Sequence, residues 1–228
     1  QVPNLALKNV GKPGVDARQA QIITAMYRDT PLARTVSEGF GVRDEVIRSL
    51  SIEMDQASRN AISAKGFELE ARRIALLMRE KFNLGFIDVG GWDTHVAQGG
   101  ATGYLATRLE ELGRGLAAFA QAMGPDWRDT TVVVVSEFGR TFRENGNRGT
   151  DHGHGSVFWV LGGSVKGGRV VGEQVPLDAA HLFQNRDYPV MNEYRSLLGG
   201  LMARQFSLST NQMDQVFPGV LAQDYGLL

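Results

Sequence analysis

A run of β-branched residues at Thr131–Ser136 (TVVVVS) constrains the fold of this chain more than any other feature. A strand that is apolar on both faces is typical of the centre of a parallel sheet covered by helices. An earlier apolar segment, Leu84–Val89 (LGFIDV), predicts another strand. Between them, apolar residues recur at steps of three and four from Leu105 to Met123, which predicts a helix. These segments predict a strand–helix–strand unit with a right-handed crossover, and Val157–Leu161 (VFWVL) predicts a further strand.

The N-terminal third of the chain has a helical pattern instead. From Asp16 to Phe82, apolar residues such as Phe67, Ala71 and Ile74 recur at helical spacing between charged residues. A chain of 228 residues is in the range of one domain. We therefore predict an α/β fold with a mostly parallel sheet flanked by helices, in a single domain of residues 1–228. Residues 1–82 form a mainly helical cover, and residues 83–228 form the sheet and its strand-end loops.

Composition excludes several kinds of partner and site. Lys plus Arg (24) nearly balances Asp plus Glu (25), so we predict no nucleic-acid partner. The absence of cysteine excludes disulfides, thiolate metal ligands and a cysteine nucleophile. The chain lacks an apolar run of about 18 residues, so no transmembrane segment is predicted. Because it opens at Gln1 without a methionine, we expect it to be a processed or trimmed product of something longer.

Polar motifs follow the predicted strands. The ligands of open α/β sheets bind beyond the carboxyl ends of the strands, and three of the four histidines lie in segments at such ends. One segment is the glycine-rich Gly90–Tyr104 (GGWDTHVAQGGATGY), and another is the long loop Glu137–Ser156, of a length that is usually functional. The candidate site residues in these segments and just before them are Asp88, Asp93, His95, Glu137, Arg140, Asp151, His152 and His154.

Carboxylate oxygen combined with imidazole nitrogen predicts a divalent metal site. Asp93, His95 and His152 are the expected ligands, and His154 or Asp151 is either a further ligand or a residue that orients an imidazole. The donor set suits Zn²⁺ best, and also Mn²⁺ or Fe²⁺, whereas Mg²⁺ or Ca²⁺ would want more oxygen. The predicted cofactor is therefore a divalent metal, with zinc first.

Arg140 and Glu137 are the candidate catalytic residues. The guanidinium of Arg140 offers a rigid fork of donors that matches phosphate, sulfate or carboxylate. Glu137 would ligate a second metal or hold Arg140, and the alternative is that the two form only a structural salt bridge. The fourth histidine, His181, stands alone in DAAHLF and is predicted to be structural.

Several strings carry a family resemblance: FIDVGGWDTH, SEFGRT, GTDHGHGS and NRDYPVMNEYR. The chain resembles the C-terminal portion of a large bacterial family of uncharacterised proteins, a domain of unknown function, over the stretch from Ala25 to Val216. Members are typically exported with a twin-arginine signal and are grouped with the alkaline phosphatase and sulfatase superfamily. The resemblance implies an alkaline-phosphatase-like fold, a hydrolase activity and a location in the periplasm or cell envelope.

This chain matches the superfamily's pattern of metal-binding residues only in part. Asp88 and Asp93 keep the five-residue spacing of an acidic residue and a zinc-binding Asp, but His95 follows Asp93 after two positions instead of four. Where the superfamily has an Asp-His metal pair, this chain has Glu137 followed by Phe138, and His152 is similar in position to a later metal-binding His. In an alternative alignment, DHGH at residues 151–154 is itself the metal-binding string.

The superfamily nucleophile and the first metal-binding Asp lie in an N-terminal part of the fold, and the resemblance implies that this chain lacks that part. The missing segment of the same precursor is therefore an expected partner, together with a small anionic or ester substrate. Two functions remain open. The first is a metal-dependent hydrolase of phosphate or sulfate esters, inactive as a fragment if the missing part is essential. The second is a non-catalytic envelope protein that binds an anion or a polysaccharide on a degenerate scaffold.

Overall fold

The computed structural model describes residues 17–42 and 66–228. The chain divides into two compact units, Gln1–Gly90 and Gly91–Leu228. Part of the predicted helical cover, namely residues 1–16 and 43–65, lies outside the described residues. The predicted organisation as a single domain stays a prediction.

The described part of the first unit is helical. Helix α1 covers Ala17–Tyr27, the described part of α2 covers residues 33–42, and α3 covers Phe67–Glu80. In α3, the side chains of Ala71, Ile74 and Ala75 are buried at helical spacing, as the sequence pattern predicted. The charged residues between them pair along the helix, for example Arg73 with Glu70 at 2.7 Å.

The first helix of the second unit is the longest helix of the described chain. Helix α4 covers Tyr104–Met123, which confirms the helix predicted from the apolar spacing, and a 3-10 helix follows at Gly124–Asp129. Phe119 of α4 is buried and meets the ring of Trp127 edge to face, with a centroid separation of 6.1 Å. This contact packs the 3-10 helix against α4, just before strand β1 begins.

The strands form two small antiparallel sheets. Strand β1 (Thr131–Val134) pairs with β4 (Trp159–Gly162), so that Val133 lies opposite Val160. Strand β2 (Gly139–Arg140) pairs with β3 (His152–Gly153). Helices α5 (Tyr194–Phe206) and α6 (Thr210–Val216) complete the unit, and their buried residues include Leu201 and Met213.

The predicted mostly parallel, alkaline-phosphatase-like α/β sheet is therefore wrong. The segment Leu84–Val89 forms no strand, and its Phe86 side chain is 77 % exposed. The strand at Trp159–Gly162 does form, but it pairs antiparallel to β1. Parallel pairing usually needs a helical crossover between the two strands, and the described chain has no helix between β1 and β4. β-Branched residues favour any half-buried strand, and β1 is only half-buried along its whole length.

No helix of the described residues is both long enough and apolar enough to cross a membrane.

Candidate metal site

The site is built on the β2–β3 hairpin. Arg140 of β2 lies directly opposite His152 of β3 in the ladder. Directly opposed residues of an antiparallel pair project from the same face of the sheet. The predicted long loop Glu137–Ser156 therefore contains a short ladder that brings its arginine and its first histidine side by side.

The tip of this hairpin binds the segment that carries Asp93 and His95. The backbone N–H of Thr150 donates to the carbonyl of Thr94 at 3.1 Å, and the side-chain amide of Asn145 donates to the carbonyl of His95 at 3.0 Å. Two further backbone bonds join residues 97 and 98 to residues 147 and 148. These bonds hold the two predicted site segments together along several residues.

Three side chains converge where the two segments meet, and we call Asp93, His95 and His152 the triad. The Nε2 atom of His152 lies 2.8 Å from Oδ1 of Asp93 and 3.1 Å from Nε2 of His95. The third separation, from Nε2 of His95 to Oδ1 of Asp93, is 3.7 Å. The three residues named as ligands on sequence grounds are thus adjacent in space, and together they could hold a metal ion.

The separations within the triad can be compared with those around a bound ion. At metal–ligand distances of about 2.0–2.1 Å, two ligand atoms of a tetrahedral zinc site lie about 3.3 Å apart. The separations of 2.8, 3.1 and 3.7 Å bracket that value. Two imidazole nitrogens and one carboxylate oxygen are also a donor set that zinc uses in proteins. The donor types and the separations of the triad are therefore compatible with a zinc ion.

Each imidazole of the triad is held from a second side. The Nδ1 atom of His95 lies 3.4 Å from Oδ1 of Asp151, and that oxygen also accepts a hydrogen bond from the side-chain amide of Asn145 at 3.0 Å. The ring of His152 stacks on Phe138 with centroids 4.1 Å apart. A carboxylate on the far nitrogen of a metal-binding histidine is a common way to fix the ring orientation.

Arg140 lies at the edge of the triad and is anchored to the hairpin. Its Nη1 group donates to Oδ1 of Asp93 at 3.1 Å, and its Nε group donates to the hydroxyl of Thr150 at 3.1 Å. Its Nη2 group donates to the carbonyl of Thr150. Since a guanidinium has five N–H groups, three are engaged here and two remain for an anion.

These contacts lower the pKa of two carboxyl groups. The hydrogen bond from His152 is the main cause that lowers the pKa of Asp93, and the charges of His95 and Arg140 act in the same direction. The pKa of Asp151 is lowered chiefly by the hydrogen bond from Asn145, together with His95. Both groups are therefore carboxylates at neutral pH, which is the form that binds a metal or orients an imidazole.

His154 was predicted as a further ligand or an orienting residue, and it has a different partner. Its Nδ1 atom and its backbone N–H both lie 2.7 Å from Oδ2 of Asp187, whose side chain is fully buried. Burial alone would raise the pKa of Asp187, but the hydrogen bonds from His154 and Arg186 outweigh it and the pKa is lowered. The alternative in which the whole 151–154 string binds one metal has no support in these contacts.

The remaining candidates lie apart from these interactions. Glu137 is exposed and forms no ion pair with Arg140; it accepts only a long hydrogen bond, 3.5 Å, from the hydroxyl of Ser136. His181 pairs locally with Asp178 at 2.7 Å, as expected of a structural histidine. Asp88 is exposed and belongs to the unit Gln1–Gly90, so its part in the site stays a prediction.

Sequence reasoning missed the residues that hold the site in shape. Gln98 accepts hydrogen bonds from the hydroxyls of Thr94 at 2.7 Å and Thr150 at 2.8 Å, and Asn145 joins the His95 carbonyl to Asp151. Asp187 is 33 residues from the histidine that it binds. Gln98 lies in the glycine-rich segment Gly90–Tyr104, and Asn145 and Thr150 lie in the long loop Glu137–Ser156, so their placement was a signal that could have identified them, whereas Asp187 had none.

The geometry describes a helix-rich chain with a candidate metal site on a short β-hairpin. Residues 4–217 match the family described as protein of unknown function (DUF1501), and the chain belongs to that family. Searches of curated proteins and of solved structures gave no match. The predicted membership in a family without an assigned function is confirmed, whereas the relationship to sulfatases and the twin-arginine signal stay predictions.

Proposed function

We propose that this protein binds one divalent metal ion through Asp93, His95 and His152, with zinc as the first choice, and uses it to hydrolyse phosphate or sulfate esters. The observation that carries the proposal is the convergence of three ligand atoms at separations of 2.8, 3.1 and 3.7 Å. These atoms come from segments more than fifty residues apart, and both segments are held by further hydrogen bonds.

The triad has the number of ligands and the accessibility of a catalytic metal site. Catalytic zinc sites use three protein ligands and keep a fourth position for water or substrate, whereas structural sites are closed by four. The side chains of Asp93, His95 and His152 are 66 %, 42 % and 49 % exposed, so a substrate can reach them. A zinc ion bound there would supply Lewis acidity toward the ester and would make a water molecule a better nucleophile.

The protein groups around the triad have complementary tasks. Arg140 directs its two remaining N–H groups at the anionic part of an ester and stabilises the negative charge that develops as the ester bond breaks. Asp151 holds His95 in the tautomer that presents Nε2 to the metal. The hydrogen bonds of Arg140 to Thr150 limit its movement, so the guanidinium and the triad keep a fixed separation.

The contacts of Phe138 favour a second candidate function. Its ring stacks on His152 at the position where the superfamily pattern has a metal-binding histidine, so it supplies packing and no ligand. A non-catalytic protein that binds an anion or a polysaccharide would retain Arg140 and the hairpin without a second metal. For either candidate, we propose the bacterial periplasm or cell envelope as the location, on the basis of the family resemblance.

The experiment that separates the two candidates is turnover by the full chain loaded with one equivalent of zinc. A panel of phosphate and sulfate esters is tested with wild type, Asp93→Ala and His181→Ala, the last as a control histidine outside the triad. Zinc-dependent turnover that Asp93→Ala loses and His181→Ala keeps would support the hydrolase. Bound zinc without turnover on any ester would favour the non-catalytic function, and failure to bind zinc would refute the metal proposal.

A further inference from the structure

A concavity adjoins the triad, formed within the unit Gly91–Leu228. Its volume is about 340 Å³, and it is lined by residues 91–96 together with Tyr104. Asp93 and His95 belong to this lining, so two of the three triad residues border the concavity, and His152 lies next to both of them. Ligand sites in proteins typically measure about 300–1,000 Å³, so this one has room for a small organic group.

The walls beyond the triad are aromatic and aliphatic. Trp92, Val96 and Tyr104 line the concavity, and Val96 is 66 % exposed to solvent. The hydroxyl of Thr94 donates to Gln98 at 2.7 Å, so this polar group is already engaged. The lining side chains outside the triad therefore offer mostly flat apolar surface to a ligand.

Tyr104 has neighbours at its ring and near its hydroxyl. The guanidinium of Arg108 lies over its ring, 5.6 Å from the centroid. Near the other end of the side chain, the Tyr104 hydroxyl would lie 3.1 Å from a Cβ atom at Gly91, whose φ of +96° also favours glycine. A side chain with such neighbours loses less entropy than a free one when a ligand packs against it.

We infer that this concavity binds a flat, apolar ring: the organic group of an ester whose anionic end lies at the triad and Arg140. The inference rests on the proposed function and names its substrate class, an aromatic phosphate or sulfate ester. Trp92, Val96 and Tyr104 provide mainly stacking and apolar contact, which suits an aromatic ring. The carboxylate and imidazoles of the triad are committed to the metal.

The test compares two non-hydrolysable ligands that share one anionic group. Isothermal titration calorimetry measures the affinity of phenylphosphonate and methylphosphonate for the full chain loaded with one equivalent of zinc. Burial of the phenyl ring should make phenylphosphonate bind about tenfold more tightly or better. The preference should shrink severalfold in Tyr104→Ala and in Val96→Ser, while zinc content and the affinity for methylphosphonate change little.

Tyr194→Ala is the matched control. Tyr194 is also the first residue of a helix and is 53 % exposed, against 51 % for Tyr104, but it does not line the concavity. The control should keep the full preference for phenylphosphonate. Equal affinities of the two phosphonates for the zinc-loaded wild type would overturn the ring site and leave the metal proposal standing. If no zinc binds, the proposed function and the ring site both fail.

Discussion

Substitution of Gly149 by alanine should damage the triad without changing any ligand. A Cβ atom at position 149 would meet the backbone carbonyls of Thr94 and His95 well inside 3.0 Å, a distance that real Cβ atoms do not approach. The φ angle of Gly149 is not in the left-handed region, so the effect is purely one of space. The hairpin tip and the segment that carries His95 would have to separate by at least about 0.5 Å.

The size of this shift determines how much zinc affinity should be lost. Metal–ligand distances tolerate deviations of about 0.2 Å, so a movement of about 0.5 Å at the backbone of His95 should weaken zinc binding at least tenfold. The inserted methyl should also destabilise the fold by about 1–3 kcal/mol, as other overpacking substitutions do. Zinc affinity is measured by competition with a chelating dye, and the free energy of unfolding by urea titration of the zinc-free protein.

Gly146→Ala is the matched control for this prediction. It lies in the same loop, and a Cβ atom there would meet nothing within 4 Å. We expect it to bind zinc as the wild type does and to have nearly unchanged stability. If Gly149→Ala matched Gly146→Ala in both measurements, the described approach of the two segments would be wrong.

Three further substitutions test the groups around the triad. Asp151→Asn should weaken zinc binding by about 10–100-fold because His95 loses its orienting carboxylate, and an unchanged affinity in the dye assay would contradict that role. Asp187→Asn should lower the free energy of unfolding by about 1–3 kcal/mol, since the buried carboxylate accepts hydrogen bonds from His154. Because the folded-state pKa of Asp187 is lowered, its ionised form stabilises the fold above the unfolded-state pKa, and that contribution disappears as the pH falls through the folded-state value. Urea titrations below about pH 4 should therefore show a shallower acid dependence for Asp187→Asn than for wild type, and equal slopes would refute the assignment. Arg140→Lys should keep zinc but raise KM about tenfold or more for an active ester, because an ammonium lacks the fork of donors; an unchanged KM would exclude an anion-binding role.

Some local elements of this fold could be predicted from the sequence, but the strand predicted at Leu84–Val89 does not form and the assembly of the strands was not predicted. The helix Tyr104–Met123 could be predicted because apolar residues recur along it at steps of three and four. The valine run forms a strand because β-branched residues favour extended backbone. Nothing in that run specifies which neighbour pairs with it or in which direction. The assumption of a covered parallel sheet failed because β1 is half-buried and pairs antiparallel with β4.

The triad could be predicted from the sequence because aspartate and histidine are recognisable as metal ligands by residue type, even though the predicted sheet was wrong. Aspartate and histidine in glycine-rich segments suggest metal binding whatever the fold, and the hairpin β2–β3 brings these segments together in place of a sheet edge. The contacts that shape the site could not be anticipated. Gln98 and Asp187 act through long-range hydrogen bonds, and a single sequence carries no record of which distant residues meet.

Metal content tests the central claim most directly. Wild type, the double variant His95→Ala/His152→Ala and the control His181→Ala are purified without chelator, equilibrated with zinc and desalted, and their metal is quantified by mass spectrometry. The account predicts about one zinc ion per chain in wild type and in His181→Ala, and none in the double variant. Absence of zinc from the wild type, or equal zinc in all three proteins, would contradict the assignment of Asp93, His95 and His152 as a metal site.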